Sequence, residues 1–300
     1  MYKNFEELLQ EVREKHASPK VAVVAGANDE HVLEAVFMAQ EMGIVTPLLV
    51  GVPDKITEII NELGYLDKNF EIVAIDEGDN PSAKAVALVK IGRGDFIIKG
   101  KMETRDLLKP ILDKEIGLNK TGFITHFGYM QLKGYHKLLA ISDCAVIPYP
   151  SFDDKVKIIK AGVSALEKLG YTQPVIGALC AVETINKKMP ETLEAQQLQE
   201  MSEMGDFGKA KVIGPISYDL ATRKESAEIK GYDSPYAGEV DMLLVPNLVT
   251  GNVMSKIWNA DADNVMAGCL VGADVPIVLT SRSASMSEKL NSILLCTKLC

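Results

Sequence analysis

Aromatic residues are scarce, 6% of 300 positions with a single Trp, and the formal net charge is −9. No basic patch with interleaved aromatics occurs, so nothing invites a nucleic-acid partner. Cysteines number five, an odd count with no C-x-x-C among them. That excludes a fully paired disulfide framework and points to reduced core thiols in a cytoplasmic setting. The four histidines (His16, His31, His126, His136) form no metal spacing, and no H-E-x-x-H occurs, so no metal site is expected. No apolar run approaches the roughly 18 residues of a membrane span, and the acidic amphipathic start is not a signal peptide. G-x-G-x-x-G after a strand, the P-loop and the G-x-S-x-G elbow are all missing. A dinucleotide fingerprint, a nucleotide P-loop and a serine-hydrolase elbow are therefore not indicated.

What remains is 47% hydrophobic and 24% charged residues over 300 positions, enough for one large globular domain or two smaller ones. Strand-like and helix-like periodicities alternate. The opening helix carries Phe5, Leu8, Leu9 and Val12; strands at 21–25, 47–52, 72–75 and 95–98 are each followed by a helix, the last near 103–115. This alternation argues a parallel α/β sheet. Runs at 121–130, 137–142 and 145–147 look β-like with little helix between them, so hairpin or mixed pairing is expected there. Alternation then resumes: helix 153–169, strand 174–179, helix 190–203, strand 210–213, helix 218–230, strand 239–246, helix 250–258, strands 265–271 and 276–279, and a closing helix. The expected organisation is two α/β lobes with mostly parallel sheets and a cleft between them. One lobe takes residues 1–128 plus 273–300, the other 129–272.

Several strand-to-helix turns suit an anion, because ligands in open α/β sheets sit beyond the carboxyl ends of strands and helix N-termini present free N–H groups. The densest is 280–285, Thr-Ser-Arg-Ser-Ala-Ser, between a short strand and the last helix. Ser281 supplies a hydroxyl, and Arg282 a planar cation suited to phosphate. Glu288, six residues after Arg282, is either the return partner of a Ser285 capping box or a general base facing the crevice. Lys99, Lys101, Thr104 and Arg105 surround another helix start, readable as anion ligands or as a solvated lysine-rich turn. Gly214-Pro215 reads as a tight turn, Asp219 as a helix cap and Tyr218 as a pocket wall. Ser234 and Gly238 sit in a loop, and Gly251 with Asn252 could let a ligand approach the backbone or serve turn chemistry alone.

Gly-Pro-Ile-Ser-Tyr-Asp at 214–219, Lys230-Gly231 with Ser234-Pro235, Ala237-Gly238, Leu-Leu-Val-Pro-Asn at 243–247 with Gly251-Asn252, and Pro-Ile-Val-Leu-Thr-Ser-Arg at 276–282 together resemble the phosphate acyltransferase family. The likeness is nearer its butyryl-transferring than its acetyl-transferring branch, dense over the last hundred residues and looser before. The resemblance implies two α/β lobes, in shape like isocitrate and isopropylmalate dehydrogenases, and reversible transfer of a short acyl group, butyryl first, between coenzyme A and inorganic phosphate. It implies no permanently bound cofactor, with coenzyme A as substrate, and a homodimer or higher homo-oligomer. It places Ser281, Arg282 and Glu288 in the catalytic site, and Lys99, Thr104, Tyr218, Ser234, Gly238, Gly251 and Asn252 among substrate-binding residues. Three departures stand out. Glu288 replaces the Asp of the acetyl-transferring branch, Val212-Ile213 lacks the usual Asp before Gly214-Pro215, and Gly238-Glu239-Val240-Asp241 replaces Gly-Asp-Ala-Asp. Two other readings compete. A decarboxylating dehydrogenase would need metal-binding carboxylates, for which no Asp cluster speaks, and a non-catalytic coenzyme A binder would keep the pocket without turnover.

Overall fold

Short apolar runs become buried strands, and rows spaced by three or four become helix faces. In the computed structural model, which describes residues 1–15, 18–119, 122–281 and 283–300, the chain opens α1 (Phe5–Lys15), β1 (Lys20–Ala25), α2 (Glu30–Glu41), β2 (Val45–Gly51), α3 (Pro53–Glu62), β3 (Glu71–Ala74), α4 (Pro81–Lys90), β4 (Phe96–Lys99) and α5 (Thr104–Ile111). It continues β5 (Thr125–Gln131), β6 (Leu139–Ser142), α6 (Phe152–Lys168), β7 (Val175–Leu179), α7 (Pro190–Met204), β8 (Lys211–Ile216), α8 (Tyr218–Thr222), α9 (Lys224–Lys230) and β9 (Met242–Leu244). It closes α10 (Leu248–Asn259), β10 (Val265–Val271), β11 (Ile277–Val278) and α11 (Met286–Leu299). None of the described helices is long and apolar enough to cross a membrane.

Two compact units result. A terminal unit takes Glu6–Ile124 and Ala267–Cys300, and a central unit takes Met1–Phe5 and Thr125–Met266. The changes fall after Phe5, Ile124 and Met266. The reason is strand pairing: β5 pairs with β6 through Gly128, Tyr129 and Met130, while Cys269 and Leu270 pair with β11.

In the terminal unit the strand order is β3-β2-β1-β4-β11-β10. All neighbours are parallel except the antiparallel pair β11 and β10. From β1 the chain builds outward through β2 and β3, then crosses to the other side of β1 for β4. Adjacent strands β1 and β4 therefore flank a topological switch point, where open α/β sheets form ligand crevices. Val23 to Ala25 and Leu48 to Val50 are buried throughout, as expected of parallel strands covered on both faces.

In the central unit the order is β5-β6-β9-β7-β8. Adjacent β5 and β6 are antiparallel and the rest parallel, so the β-rich middle does contain the mixed pairing expected of it. Two lysines are buried here, and both are paired. The Asp241 carboxylate accepts from Lys137 Nζ at 2.6 Å and from the Val175 N–H at 2.8 Å. Lys137 also donates to the Glu239 carbonyl at 2.8 Å. Lys155 on α6 pairs with Glu194 on α7.

Several local expectations give way to side-chain chemistry. Residues 145–147 are not a strand: the N–H groups of Ala145 and Val146 both donate to the Asp143 carboxylate at 2.7 Å, which folds the segment into a turn. Gly214-Pro215 is no turn; it lies inside β8, joined by a cis peptide. The helix expected at 218–230 is two, because Arg223 is extended (φ −137°) between α8 and α9. The helix near 103–115 stops at Ile111, and the Asp113 carboxylate then accepts from the Glu115 and Ile116 N–H groups. The strand expected at 239–246 shrinks to β9. The expected β-run at 121–130 starts at Thr125; Thr121, like His16, lies outside the described residues.

Candidate functional site

The switch-point crevice is built by backbone first. Beyond β4 the Gly100 N–H donates to the Ala25 carbonyl and the Lys101 N–H to the Gly26 carbonyl, both at 2.9 Å. A Cβ on Gly100 would stand 2.1 Å from the Gly26 oxygen, so only glycine permits this approach. The N–H groups of Gly26 and Ala27 both donate to the Val50 carbonyl at 3.0 Å. The carboxyl ends of β1, β2 and β4 are thereby gathered. Next, α2 starts with its N-cap Asp29, whose carboxylate accepts from the Val32 N–H at 3.1 Å.

From β11 the chain enters 280–285. The Ala284 N–H donates to the Ser281 carbonyl at 3.0 Å, and the Ser281 and Ser283 hydroxyls lie 3.1 Å apart. Ser285 caps α11, its hydroxyl accepting from the Glu288 N–H at 3.1 Å. Lys289, in the first turn, turns back and donates from Nζ to the Ala284 carbonyl.

These pieces enclose a cleft of about 720 Å³ within the terminal unit. Residues Asn28 to Val32, Lys99 to Glu103, Thr280, Ser281 and Lys289 line it. The helix start at Asp29 aims partial positive charge at it, the environment an anion prefers. A second pocket, about 490 Å³, lies in the central unit and includes Gly214, Pro215, Tyr232, Ser234 and Tyr236.

Of the residues singled out from sequence, Lys99, Lys101 and Ser281 come together in the larger cleft. Arg282 lies outside the described residues. Glu288 is 4% exposed; its N–H is held by the cap, and its carbonyl accepts from the Ser292 hydroxyl at 2.7 Å. Thr104 and Arg105 are exposed at the start of α5, beyond the lining residue Glu103. Ser234 lines the smaller pocket, its hydroxyl accepting from the Tyr236 N–H at 3.3 Å.

Others have structural employment. Tyr218 packs on Trp258 with ring centroids 5.7 Å apart, and burial raises its hydroxyl pKa. Gly238 has φ +74°, and a Cβ there would meet the Lys224 nitrogen at 2.6 Å. A Cβ on Gly251 would meet the Asp143 carbonyl at 2.6 Å, and Asn252 donates from its amide to the Cys144 carbonyl at 3.1 Å. Both residues tie α10 to the turn after β6. Asp219 does not cap α8 through the backbone. Its carboxylate takes Lys230 and the Ser217 hydroxyl, which hold its pKa below the ordinary value.

Four of the five thiols are buried. Burial pushes Cys144 and Cys180 each up to about 12, so neither offers a thiolate at neutral pH. Among the described residues no group of His, Cys, Asp or Glu is arranged to hold a metal ion.

Sequence reasoning treated the Asn28-Asp29 turn only as a helix start and passed over Lys289. The turn becomes a wall only once β1 and β4 are neighbours. Lys289 carries no local signal beyond its position in a first helical turn.

Residues 73–297 match the family model described as "Phosphate acetyl/butaryl transferase". The chain is 38% identical over 295 residues to the phosphate butyryltransferase of Clostridium acetobutylicum, covering 98% of this chain and 97% of that one. It is 35% identical over 276 residues to the phosphate acetyltransferase of Thermotoga maritima, covering 92% and 94%. A crystal structure of a branched-chain phosphotransacylase from Enterococcus faecalis superposes with TM-score 0.83 and 28% identity, covering 93% of this chain and 98% of that one. On these matches the chain belongs to the phosphate acetyl/butyryl transferase family.

Proposed function

We propose that this protein is a phosphate butyryltransferase, moving a short acyl group reversibly between coenzyme A and inorganic phosphate. The observation that carries this reading is the switch-point cleft, where Lys99, Lys101, Ser281 and Lys289 share one lining of about 720 Å³. The 38% identity to the Clostridium acetobutylicum butyryltransferase is the reason butyryl is placed before acetyl.

In the direction that makes thioester, the coenzyme A sulfur attacks the acyl carbonyl carbon, the carbon–oxygen bond to phosphate breaks, and phosphate leaves as a dianion. The thiol proton must go to a base, since an ordinary thiol pKa is about 8.5. We assign that role to the buried Glu288 carboxylate. Arg282 and Ser281 receive the phosphate, and Ser281 also suits the oxyanion of the tetrahedral intermediate, a contact typically worth about 3 kcal/mol. Lys101 and Arg105 are assigned to coenzyme A phosphates, with Thr104 beside them. Ser234 serves the acyl or coenzyme A side.

The partner of a second copy on this reading is α10. Val249, Val253 and Ile257 form one row at four-residue spacing and are 54%, 50% and 65% exposed, an apolar stripe suited to self-association. The reading puts the chain in the cytoplasm, where its thiols stay reduced. Thiol release from acetyl-, propionyl-, butyryl- and isobutyryl-CoA under saturating phosphate tests the function. The largest kcat/KM is expected with butyryl-CoA. Absence of phosphate-dependent release from all four would end the proposal.

A further inference from the structure

Lys289 is a lysine in an unusual place. It occupies the first turn of α11, the end of a helix where the macrodipole disfavours a cation. It is only 8% exposed, although lysines are seldom buried unless paired. An ammonium has three donors. One goes to the Ala284 carbonyl, a neutral acceptor, and among the described residues no carboxylate forms an ion pair with it. The side chain lines the cleft beside Ser281. Three carboxylates share that lining, Asp29, Glu30 and Glu103. Asp29 is engaged in capping α2, and Glu30 and Glu103 are exposed to solvent. A buried, unneutralised cation next to an open cleft is costly unless an anion completes it.

We propose, resting on the function proposed above, that Lys289 is a binding residue for the phosphate dianion that enters or leaves as inorganic or acyl phosphate. Its contact with the Ala284 carbonyl keeps the ammonium near Ser281, whose carbonyl accepts from the Ala284 N–H, so the same residue carries charge to the ligand and holds Ala284 in place. Phosphate replaces the missing counterion. A phosphate of coenzyme A shares this chemistry, and separate KM values distinguish the two sources.

The experiment uses the full chain as wild type, Lys289→Met and Lys289→Arg. KM for phosphate and KM for butyryl-CoA are measured separately, and melting temperature is read with and without inorganic phosphate. Loss of a charge-assisted bond predicts a phosphate KM about tenfold higher in Lys289→Met, a butyryl-CoA KM within about twofold of wild type, and no phosphate-induced rise in melting temperature. Lys289→Arg keeps the charge and falls between. A folded Lys289→Met with unchanged phosphate KM, or one whose butyryl-CoA KM rises instead, overturns the proposal. If Lys289→Met does not fold, Lys289→Arg decides: an unaltered phosphate KM in that variant is equally contrary. If wild type shows no turnover, the functional reading has failed separately. The melting arm still decides, with Lys209→Ala, an exposed position outside both pockets, as a control that retains the phosphate-induced rise.

Discussion

Among the described residues three buried lysines divide between the two units according to what faces them. In the central unit Lys137 meets Asp241 at 2.6 Å and Lys155 meets Glu194. In the terminal unit the partner of Lys289 among the described residues is a carbonyl, that of Ala284. Burial is nearly equal, 4%, 6% and 8% exposed. The difference lies in the electrostatic completeness of the surroundings. A cation neutralised within the fold fixes strands and helices to one another. A cation left without a counterion beside a cleft is completed by a ligand on the proposal made above, which assigns the anion to the terminal unit.

The contrast can be broken at either end. The largest effect is expected from Asp241→Ala, which leaves the Lys137 ammonium facing the Glu239 carbonyl at 2.8 Å and the half-exposed Glu239 carboxylate at 3.7 Å. Removing one member of a buried pair costs about 3–5 kcal/mol, so denaturant unfolding of this variant should show a loss of that size, whereas Lys289→Met should lose much less. Next comes Glu288→Ala, for which kcat should fall by about 10²-fold or more if the carboxylate is the base. Normal turnover with a lower melting temperature would show that it only supports the start of α11. Smaller again is the roughly tenfold rise in phosphate KM for Lys289→Met, seen by initial-rate kinetics.

The smallest effect concerns a buried group that is neutral. His126 is 4% exposed, and its Nδ1 has no hydrogen-bond partner among the described residues. Burial holds its pKa below the ordinary 6.5, with the Asp143 carboxylate opposing. Below about pH 6.5 the unfolded chain therefore binds this proton more readily than the folded one, and stability falls as pH falls. His126→Gln should flatten that acid-side loss in melting curves between about pH 6.5 and 5, while leaving phosphate KM unchanged. A buried neutral group can go without a partner at modest cost, which sharpens what is unusual about Lys289.

Much of the architecture was legible because burial on two faces leaves plain apolar runs. Val23 to Ala25 and Leu48 to Val50 are examples. The antiparallel middle was readable from the little helix between the β-like runs at 121–130 and 137–142. What failed were places where one side chain redirects the backbone. The Asp143 carboxylate folds 145–147 into a turn, and the extended Arg223 splits a helix whose apolar pattern alone looks continuous. The site was legible in part. Ser281 and Lys99 were singled out by type and by following a strand, and they share one cleft. Gly251 and Asn252 were singled out for the same reason but serve close packing of α10, because glycine and asparagine look alike in a sequence whether a ligand or a neighbouring backbone needs the room. Lys289 was missed because its meaning comes from burial and from the absence of a counterion, and neither is a sequence property.

The most direct measurement is a crystal structure of the protein grown with phosphate and coenzyme A. Phosphate binding by Lys289 predicts a phosphate oxygen within about 2.7–3.1 Å of both Ser281 Oγ and Lys289 Nζ. Phosphate seated instead in the central-unit pocket beside Tyr232 and Tyr236, with the Lys289 ammonium bare, would contradict it.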